Sequence, residues 1–475
     1  MRGAPPPDQE AWLPLFDGKT LAGWRASERP DAFQVVDGTI AFSGGRSHLF
    51  YTGPVAGANF KNFEFQAEVL ARPGANSGIY FHTEYQASGF PSKGFEAQVA
   101  NTYTGTGGYV EMKKTGSLYG VRNLNRSPVR DDEWFTMRIT VRGKRVQIRL
   151  NDRLVVDYVE PENWVPDATR PGRRLGRGTF ALQGHDAGSR VRFRNLRVRP
   201  LPDDLPDYPD GPFRFDAVDQ EIVRLNAANY PLIDFHTHLK GGLTMEGVLQ
   251  HTLRTGLNHG VAVNGGLGFS ITNDAGIDAF LKTVAGQPVF LGMQAEGREW
   301  PTLFSPDAVA RFDYVFTDGM TIFDHRGKRT RLWIKEEVDI PDKQAFMDHL
   351  TDTIEKILTD EPVDIYANPT FLPEVLAPEY DALWTPGRMD RIVRAAAHSG
   401  VAIEINNRYR IPSARFIRLA RKAGLKFTLG TNNTDPNLAR DEYGLEMIRE
   451  CGLTWTDFWM PKPEGHKPIQ ERRKH

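Results

Sequence analysis

The repeating pattern of the chain changes once, near the acidic segment 201–211, and this change restricts the folds open to it. From Trp12 to Pro200, short β-branched and aromatic runs alternate with Gly, Asn, Asp and Pro, and no helical period of useful length appears. After Pro231, strand-like runs alternate with helical ones. The first pattern is typical of β-sandwiches and jelly rolls, and the second of parallel α/β folds. The sequence therefore predicts two domains of different class.

The first pattern is an alternation of apolar and polar residues with the period of a β-strand. Such strands bury one face and leave the other polar. We predict an all-β jelly-roll sandwich over residues 1–200, followed by a linker over 201–230. The clearest alternating runs are Phe63–Val69, Phe135–Val141 and Val146–Leu150, the last two joined by a hairpin turn at Arg142–Arg145.

The second pattern contains seven strand-like runs with helical stretches between them. Strands that alternate with helices form parallel sheets, and seven of them favour a (β/α) barrel of the TIM type that is distorted or one strand short. We predict this α/β barrel over residues 231–463, with a basic tail over 464–475. The predicted strands contain Leu232–Phe235, Val261–Val263, Val289–Met293, Tyr314–Phe316, Val363–Tyr366, Val401–Ile405 and Lys426–Leu429.

Charge and composition narrow the classes of partner and compartment. The net charge of −1 gives the chain no overall attraction to nucleic acid. The two basic runs, 170–177 and 470–475, are short, and we expect them to be solvated loops or termini rather than nucleic-acid sites. No run of about 18 apolar residues is present, so we expect no membrane span. The start, Met1–Pro7, lacks the apolar core of a signal peptide. We expect a periplasmic or secreted protein if a signal has been removed, and a cytoplasmic one otherwise.

Two histidines in Asp234-Phe-His-Thr-His238 are the strongest candidates for a metal site. Alternation along a strand puts His236 and His238 on one face, where both imidazoles can bind one ion. Glu296, which follows the third predicted strand, would add a carboxylate. We predict one divalent metal in the barrel, Zn or Mn, that polarises substrate or acidifies water. The alternative is that both histidines only form hydrogen bonds inside the barrel mouth.

Polar residues also follow the other predicted strands. Chemistry in parallel barrels collects at the carboxyl ends of the strands, so these positions are candidates for substrate contacts. Among them we predict Asn368, Asn406 and Asn432 as substrate-binding residues. The remaining positions of this kind are Asn264, Asp318, Glu404, Thr431 and Asn433.

The Asp-x-His-x-His motif resembles the polymerase-and-histidinol-phosphatase family, which is itself similar to metal-dependent amidohydrolases. The resemblance covers about residues 231–453 and includes Ala367-Asn-Pro369 and Gly430–Thr434. That family has His where this chain has Val263-Asn264 and again where it has Asn368. It ends on Asp-x-His where this chain has Asn432-Asn-Thr434. Because Asn is a weak metal ligand, the resemblance implies one metal or none rather than a trinuclear centre.

Six motifs of the first domain occur in a characteristic order: Leu15–Trp24, Asn76–Phe81, Gly94–Val99, Thr115–Gly120, Glu133-Trp134 and Val191–Leu196. In this order they resemble the 3-keto-disaccharide hydrolase family, a concanavalin-like jelly roll. The resemblance implies cleavage of oxidised sugars, as a 3-keto-glycoside 1,2-lyase or as the hydratase that adds water afterwards. We therefore expect an oligosaccharide or glycoside substrate.

The chemistry of such a substrate indicates which residue types the site needs. A ketone at C3 makes the C2 proton acidic, so a base can remove this proton and expel the C1 substituent. Glu96 and Gln98 project from one face of a strand. His82 and His185 can titrate near neutrality. We predict these four residues as catalytic.

Two further residues are candidates for the electrophilic side of the reaction. Lys113 and Tyr119 can stabilise an enolate or protonate a leaving oxygen, and we predict them as substrate-binding residues. The alternative for Glu96 and Gln98 is the wet face of a strand that binds glycans without reacting.

Three functional hypotheses follow from these residues. In the first, the jelly roll cleaves 3-keto-glycosides and the barrel supplies a second, metal-assisted sugar step. In the second, the jelly roll is a glycan-binding module that delivers substrate to a metal-dependent hydrolase barrel. In the third, both sites are degenerate and the chain is a scaffold. Activity of the jelly roll separates the first from the second, and metal content separates the second from the third.

Overall fold

The computed structural model describes residues 11–471, which divide into two compact units. The first contains residues 11–229 and 253–256, and the second contains 230–252 and 257–471. The start at Met1–Pro7 and the last part of the predicted basic tail, 472–475, lie outside the described residues. None of the helices between residues 11 and 471 combines the length and apolar character that a membrane span requires.

The described part of the first unit is a sandwich of two antiparallel sheets. One sheet has the order β11-β10-β9-β6-β13-β4-β3, with β1 added beside β13, and the other has the order β2-β5-β12-β7-β8. The predicted sheet-rich, jelly-roll-like domain is confirmed. Its strands are β1 (Leu13–Pro14), β2 (Trp24–Ala26), β3 (Phe33–Val36), β4 (Thr39–Ser43), β5 (Ser47–Tyr51), β6 (Phe63–Ala71), β7 (Ser77–Thr83), β8 (Phe95–Val99), β9 (Phe135–Arg142), β10 (Arg145–Leu150), β11 (Arg153–Val159), β12 (Thr179–Gly184) and β13 (Arg190–Pro200).

Aromatic side chains fill the space between the two sheets. On β6 the alternation directs Phe63 and Phe65 inward, where both are fully buried. Phe180 of β12 meets them from the other sheet, with ring centroids 4.9 Å from Phe63 and 4.6 Å from Phe65. Phe60 completes the group at 4.8 Å from Phe180. These contacts hold the five-stranded sheet, and with it the candidate site on its outer face.

The predicted linker 201–230 contains a helix, α1 (Ala217–Ala227), that the sequence analysis does not predict. Asp216 caps its first turn by accepting from the Asp219 backbone, and the Asp219 side chain accepts in return from the Asp216 backbone. This reciprocal pair satisfies two amide groups that a helix start would otherwise leave without a partner.

The second unit is built around a closed parallel barrel with the order β14-β15-β16-β17-β20-β21-β22. All seven predicted strands are present in it, and the prediction of a parallel barrel is confirmed. A two-stranded hairpin, β18–β19, is inserted after β17. The strands are β14 (Ile233–His238), β15 (Asn258–Gly265), β16 (Phe290–Ala295), β17 (Tyr314–Thr317), β18 (Thr321–Phe323), β19 (Arg329–Arg331), β20 (Ile365–Tyr366), β21 (Ala402–Asn406) and β22 (Phe427–Gly430).

Helices connect the barrel strands, as the alternating sequence pattern predicts. In α8, the Thr385 side chain accepts from the Arg388 backbone at the start, and Gly400 ends the helix in the left-handed region at φ 65°. The helices are α2 (Met245–Thr255), α3 (Asp274–Thr283), α4 (Trp300–Leu303), α5 (Pro306–Val309), α6 (Lys343–Asp360), α7 (Tyr380–Leu383), α8 (Pro386–Ser399), α9 (Ala414–Lys422), α10 (Glu442–Glu450) and α11 (Pro468–Glu471).

The buried carboxylate of Asp234 joins the first and last strands of the barrel. The ladder between β14 and β22 consists of the pair Asp234 and Leu429. The Asp234 carboxylate accepts from the Thr431 backbone amide at 3.1 Å and also from its hydroxyl group. It accepts from the Thr237 hydroxyl at 2.8 Å as well. The backbone ladder that closes the barrel between β14 and β22 is one residue pair long, and these side-chain hydrogen bonds add to it.

Replacing Phe180 by Ala should destabilise the first unit by about 3–5 kcal/mol, because it opens a cavity among three buried rings. Urea unfolding of the full chain, followed by tryptophan fluorescence and circular dichroism, measures the change. The control is Val165→Ala, whose side chain is 80% exposed and should change stability by less than about 0.5 kcal/mol. Equal stability of the two variants would contradict the described packing.

Candidate functional site

The outer face of the five-stranded sheet brings three polar side chains and a glycine together. On β8, Phe95 and its alternate neighbours point into the sandwich core, so Glu96 and Gln98 point outward. Across the antiparallel pair, Tyr80 of β7 stands opposite Glu96, and Gly78 stands opposite Gln98. The sequence prediction that Glu96 and Gln98 share a face agrees with this register.

The carboxyl group of Glu96 is buried at the centre of this face. Its side chain is 4% exposed, and the Tyr80 hydroxyl donates to its Oε2 atom at 2.8 Å. Burial raises the pKa of Glu96, which the Tyr80 hydrogen bond and the charges of Arg170 and Arg173 partly offset. A carboxylate with a raised pKa is a stronger base than an exposed one.

Gly78 makes room for this carboxyl group. A Cβ atom at position 78 would lie 2.3 Å from Oε1 of Glu96. The Glu96 side chain therefore lies across β7, where any larger residue would displace it. Gly78 belongs to the motif Asn76–Phe81, but no role in the site is predicted for it from the sequence.

Gln98 holds the other side of the Glu96 carboxyl group. With its amide turned so that both atoms have a partner, Gln98 donates to Glu96 Oε1 at 3.2 Å and to the Ser77 carbonyl at 3.1 Å. The Asn76 amide lies 3.1 Å from the Gln98 amide. Gln98 thus binds Oε1 of the Glu96 carboxyl group, while Tyr80 binds Oε2.

Lys113 and Tyr119 lie in the segment between β8 and β9, and Tyr119 contacts the backbone of Glu96. The Tyr119 backbone amide donates to the Glu96 carbonyl at 3.0 Å. The Lys113 ammonium lies 4.7 Å from the centre of the Tyr119 ring and pairs with Glu111 at 2.9 Å. Burial lowers the pKa of Lys113 and raises the pKa of Tyr119 to about 12. The sequence analysis does not identify Glu111, which partners both predicted residues.

Two arginines of the basic run 170–177 lie over the ring of Tyr119. The guanidinium carbons of Arg170 and Arg173 are 4.8 Å and 5.7 Å from the ring centroid. Arg170 is exposed, but Arg173 is only 7% exposed, and burial lowers its pKa to about 10. The prediction that this run is a solvated loop is therefore wrong for Arg173, because the loop folds back over the sheet face.

The two predicted histidines have different surroundings. His82 is buried, its Nε2 atom lies 2.8 Å from the Lys61 carbonyl, and its Nδ1 atom accepts from the Gly176 amide at 3.1 Å. Because the protein backbone occupies both ring nitrogens, His82 fixes loops and is not available for proton transfer. His185 is partly exposed, and its Nδ1 atom lies 2.8 Å from the Asp186 carboxylate. His82 thus forms hydrogen bonds with loop backbone and not with Glu96, Tyr80 or Gln98.

A third histidine, His48, lies on the same outer face and is not identified by the sequence analysis. Its ring centroid is 5.6 Å from that of Tyr80 and 5.7 Å from that of Phe90. Burial lowers the pKa of His48 to about 3, and within residues 11–471 neither ring nitrogen has a hydrogen-bond partner. Burial therefore keeps the His48 imidazole neutral near pH 7.

The barrel mouth is a second polar site, at the carboxyl ends of the strands. It opens into a cavity of about 1040 Å³. Glu296 and Asp318 lie in its floor, and both are buried. Burial, and for Glu296 also the charge of Asp318, raises the pKa of both carboxyl groups.

The three predicted substrate-binding asparagines form one hydrogen-bonded group. The Asn368 Oδ1 atom accepts from Asn406 at 2.9 Å and from Asn432 at 3.0 Å. Asn368 also donates to Asp318 at 2.9 Å, and its backbone amide donates to Glu404 at 2.7 Å. The sequence analysis finds these positions because each follows a strand. Of the three, Asn368 and Asn432 line the cavity.

The three predicted metal ligands do not converge on one point. The Nδ1 atom of His236 lies 2.5 Å from Glu404, and its Nε2 atom lies 3.3 Å from the Gln294 amide oxygen. His238 Nδ1 lies 3.0 Å from the Ala262 carbonyl, and Glu296 accepts from an asparagine. Between residues 11 and 471, no three His, Cys, Asp or Glu side chains are arranged to hold a metal ion. These donors do not fit the predicted metal centre, although His238 Nε2 is buried without a partner.

Comparison with known proteins identifies relatives of the first unit. Residues 11–199 match the family model of the 3-keto-alpha-glucoside-1,2-lyase-like domain. A 3-keto-disaccharide hydrolase of Bacteroides thetaiotaomicron is 34% identical over 83 residues, which are 16% of this chain and 29% of that protein. The chain thus matches less than a third of the length of this relative.

Two solved structures are also similar to parts of the chain. A candidate glycosyl hydrolase of Parabacteroides distasonis is 23% identical, with a TM-score of 0.36, over 41% of this chain and 95% of that one. A histidinol phosphate phosphatase of Lactococcus lactis is 14% identical, with a TM-score of 0.36, over 47% of this chain and 94% of that one. On its family match and its curated relative, the first unit resembles the 3-keto-disaccharide hydrolases.

Proposed function

We propose that the first unit cleaves 3-keto-glycosides by removing the C2 proton and expelling the C1 substituent, and that the barrel serves a second sugar step. The observation that supports this most strongly is the buried Glu96 carboxyl group, held by Tyr80 and Gln98 in a domain that resembles 3-keto-disaccharide hydrolases. The raised pKa of Glu96 suits a general base for an acidic C–H bond.

The proposed reaction gives roles to Glu96, to the pair Arg170 and Arg173, and to Tyr119. Glu96 takes the proton from C2, and the C2–H electron pair forms a C2=C3 double bond with the negative charge on the C3 oxygen. The cations of Arg170 and Arg173 stabilise this enolate. The C3 carbonyl then re-forms, a C1=C2 double bond appears, and the C1–O bond breaks. The leaving oxygen takes a proton from the hydroxyl group of Tyr119, and water can add to the unsaturated product afterwards.

The alternative function is a glycan-binding jelly roll that delivers substrate to a hydrolytic barrel. The amide-rich floor of the barrel cavity supports a sugar site there. The barrel, which we propose to be a seven-stranded variant of the TIM type, would then act through Glu296 and Asp318 as acid and base. No step of either proposal is routed through a metal, because the predicted ligands do not fit one.

Glu96→Gln in the full chain should lower kcat for release of the C1 substituent from a 3-keto-glucoside by about 10²–10⁴-fold, the usual contribution of a general base. Glu84→Gln, which changes a carboxylate whose side chain is 68% exposed, should leave kcat unchanged. Steady-state assays of the released aglycone measure both. An active Glu96→Gln enzyme, together with loss of activity in Asp318→Asn, would move the chemistry to the barrel.

Gly78→Ala should lower the same activity by about 10–100-fold with little change in thermal stability. The added Cβ atom would lie 2.3 Å from Oε1 of Glu96 and displace this side chain rather than the backbone, and a shift of about 1 Å in a catalytic group can cost about a hundredfold in rate. Gly176→Ala is the matched control, since its Cβ atom would meet no heavy atom within 4 Å. Full activity of Gly78→Ala would show that the position of Glu96 does not matter.

The predicted divalent metal has a test of its own. Dialysis of the full chain against EDTA should leave its unfolding temperature unchanged, whereas loss of a metal present at a hundred times its Kd would remove about 2.7 kcal/mol of stability. Elemental analysis of the purified chain should find less than about 0.2 equivalents of Zn or Mn, since the donors do not fit a metal. One retained equivalent that is lost in His238→Ala would restore the metal prediction.

A further inference from the structure

The cavity at the barrel mouth has two chemically distinct parts. Its floor is formed by side chains at the carboxyl ends of the strands, and its rim by the loops beyond them. We propose that this cavity binds glycosides with an apolar aglycone, the sugar on the floor and the aglycone against the rim. This inference rests on the proposed sugar step in the barrel and names the class of glycoside that the step would use.

The floor is polar and buried. Gln294, Glu296, Asp318 and Asn368 are each 5% exposed or less, and all four line the cavity. Their carboxyl and amide groups offer hydrogen-bond donors and acceptors side by side. Sugar hydroxyl groups both donate and accept, so such a surface suits a sugar ring better than an apolar group.

The rim is apolar and open to solvent. Trp333 is 40% exposed and Val375 is 61% exposed, although both are large apolar residues. Exposed apolar residues grouped around one opening mark a binding surface for an apolar group. Further apolar side chains that line the cavity include Phe269, Val338, Ile340 and Phe371.

The size of the cavity also indicates a ligand with two parts. Its volume of about 1040 Å³ is at the upper end of the roughly 300–1,000 Å³ that is usual for small-molecule sites. A single sugar on the floor would leave the apolar rim in contact with water. An aglycone placed there would remove that apolar surface from water, which is the main source of affinity for such a group.

Isothermal titration calorimetry of the full chain tests the proposal with three probes: p-nitrophenyl β-D-glucoside, methyl β-D-glucoside and p-nitrophenol. The glucosides have no C3 ketone, so the elimination proposed for the first unit cannot consume them. We expect the p-nitrophenyl glucoside to bind about tenfold more tightly than the methyl glucoside, since stacking an aromatic ring on the rim adds affinity. Free p-nitrophenol should bind more weakly than the p-nitrophenyl glucoside, because it lacks the contacts to the floor.

Two variants locate the binding. Trp333→Ala should remove the tenfold preference while the weaker binding of the methyl glucoside is kept. Phe323→Ala is the matched control, because Phe323 is an aromatic residue of β18 that is 48% exposed and does not line the cavity. It should leave all three affinities unchanged. Asn368→Ala should weaken both glucosides to a similar extent.

Equal binding of the two glucosides, a preference that survives Trp333→Ala, or no glucoside binding at all would each overturn the inference. None of these results would affect elimination by Glu96 in the first unit, which Glu96→Gln tests on its own. Conversely, an active Glu96→Gln enzyme with Trp333-dependent binding would overturn the proposed reaction and leave the barrel site in place.

Discussion

Burial of the Glu96 carboxyl group is the constraint on which the candidate chemistry of the first unit depends. The alternation of β8 directs this side chain out of the sandwich core, and the missing Cβ atom of Gly78 lets it lie across β7. Tyr80 and Gln98 then hold its two oxygens. Removal from water raises the pKa of Glu96, so the burial that fixes the position of this carboxyl group also increases its affinity for a proton.

In the barrel, buried polar side chains form hydrogen bonds with one another. Asn368 joins two further asparagines, Asp318 and Glu404 in a single network at the strand ends. Amides both donate and accept, so they can link carboxyl groups without a metal between them. The network also includes His236, whose Nδ1 atom lies 2.5 Å from the Glu404 carboxylate.

Periodicity in the sequence predicts the sheets and the face on which Glu96 lies, because successive side chains of a strand point to opposite faces of the sheet. It does not predict Arg173, since a loop that folds back over a sheet leaves no periodic signal. His48 lies on β5 and is also not predicted. Nor does periodicity show that the backbone occupies both ring nitrogens of the predicted catalytic residue His82. The φ angle of His82 is +54°, so the strand is distorted at this residue, and its ring packs 5.6 Å from that of Phe63. Likewise, spacing puts two barrel histidines on one face but does not show which of their nitrogens are already bound.

The central claim is that Glu96 removes the proton from C2, and hydrogen isotopes test it most directly. The full chain is given a 3-keto-glucoside carrying deuterium at C2, and release of the C1 substituent is compared with that from the protiated sugar. The account predicts a primary isotope effect, and loss of deuterium from C2 that is abolished in Glu96→Gln. Cleavage that proceeds at equal rates for both sugars and keeps the deuterium at C2 would contradict it and indicate direct hydrolysis of the glycosidic bond.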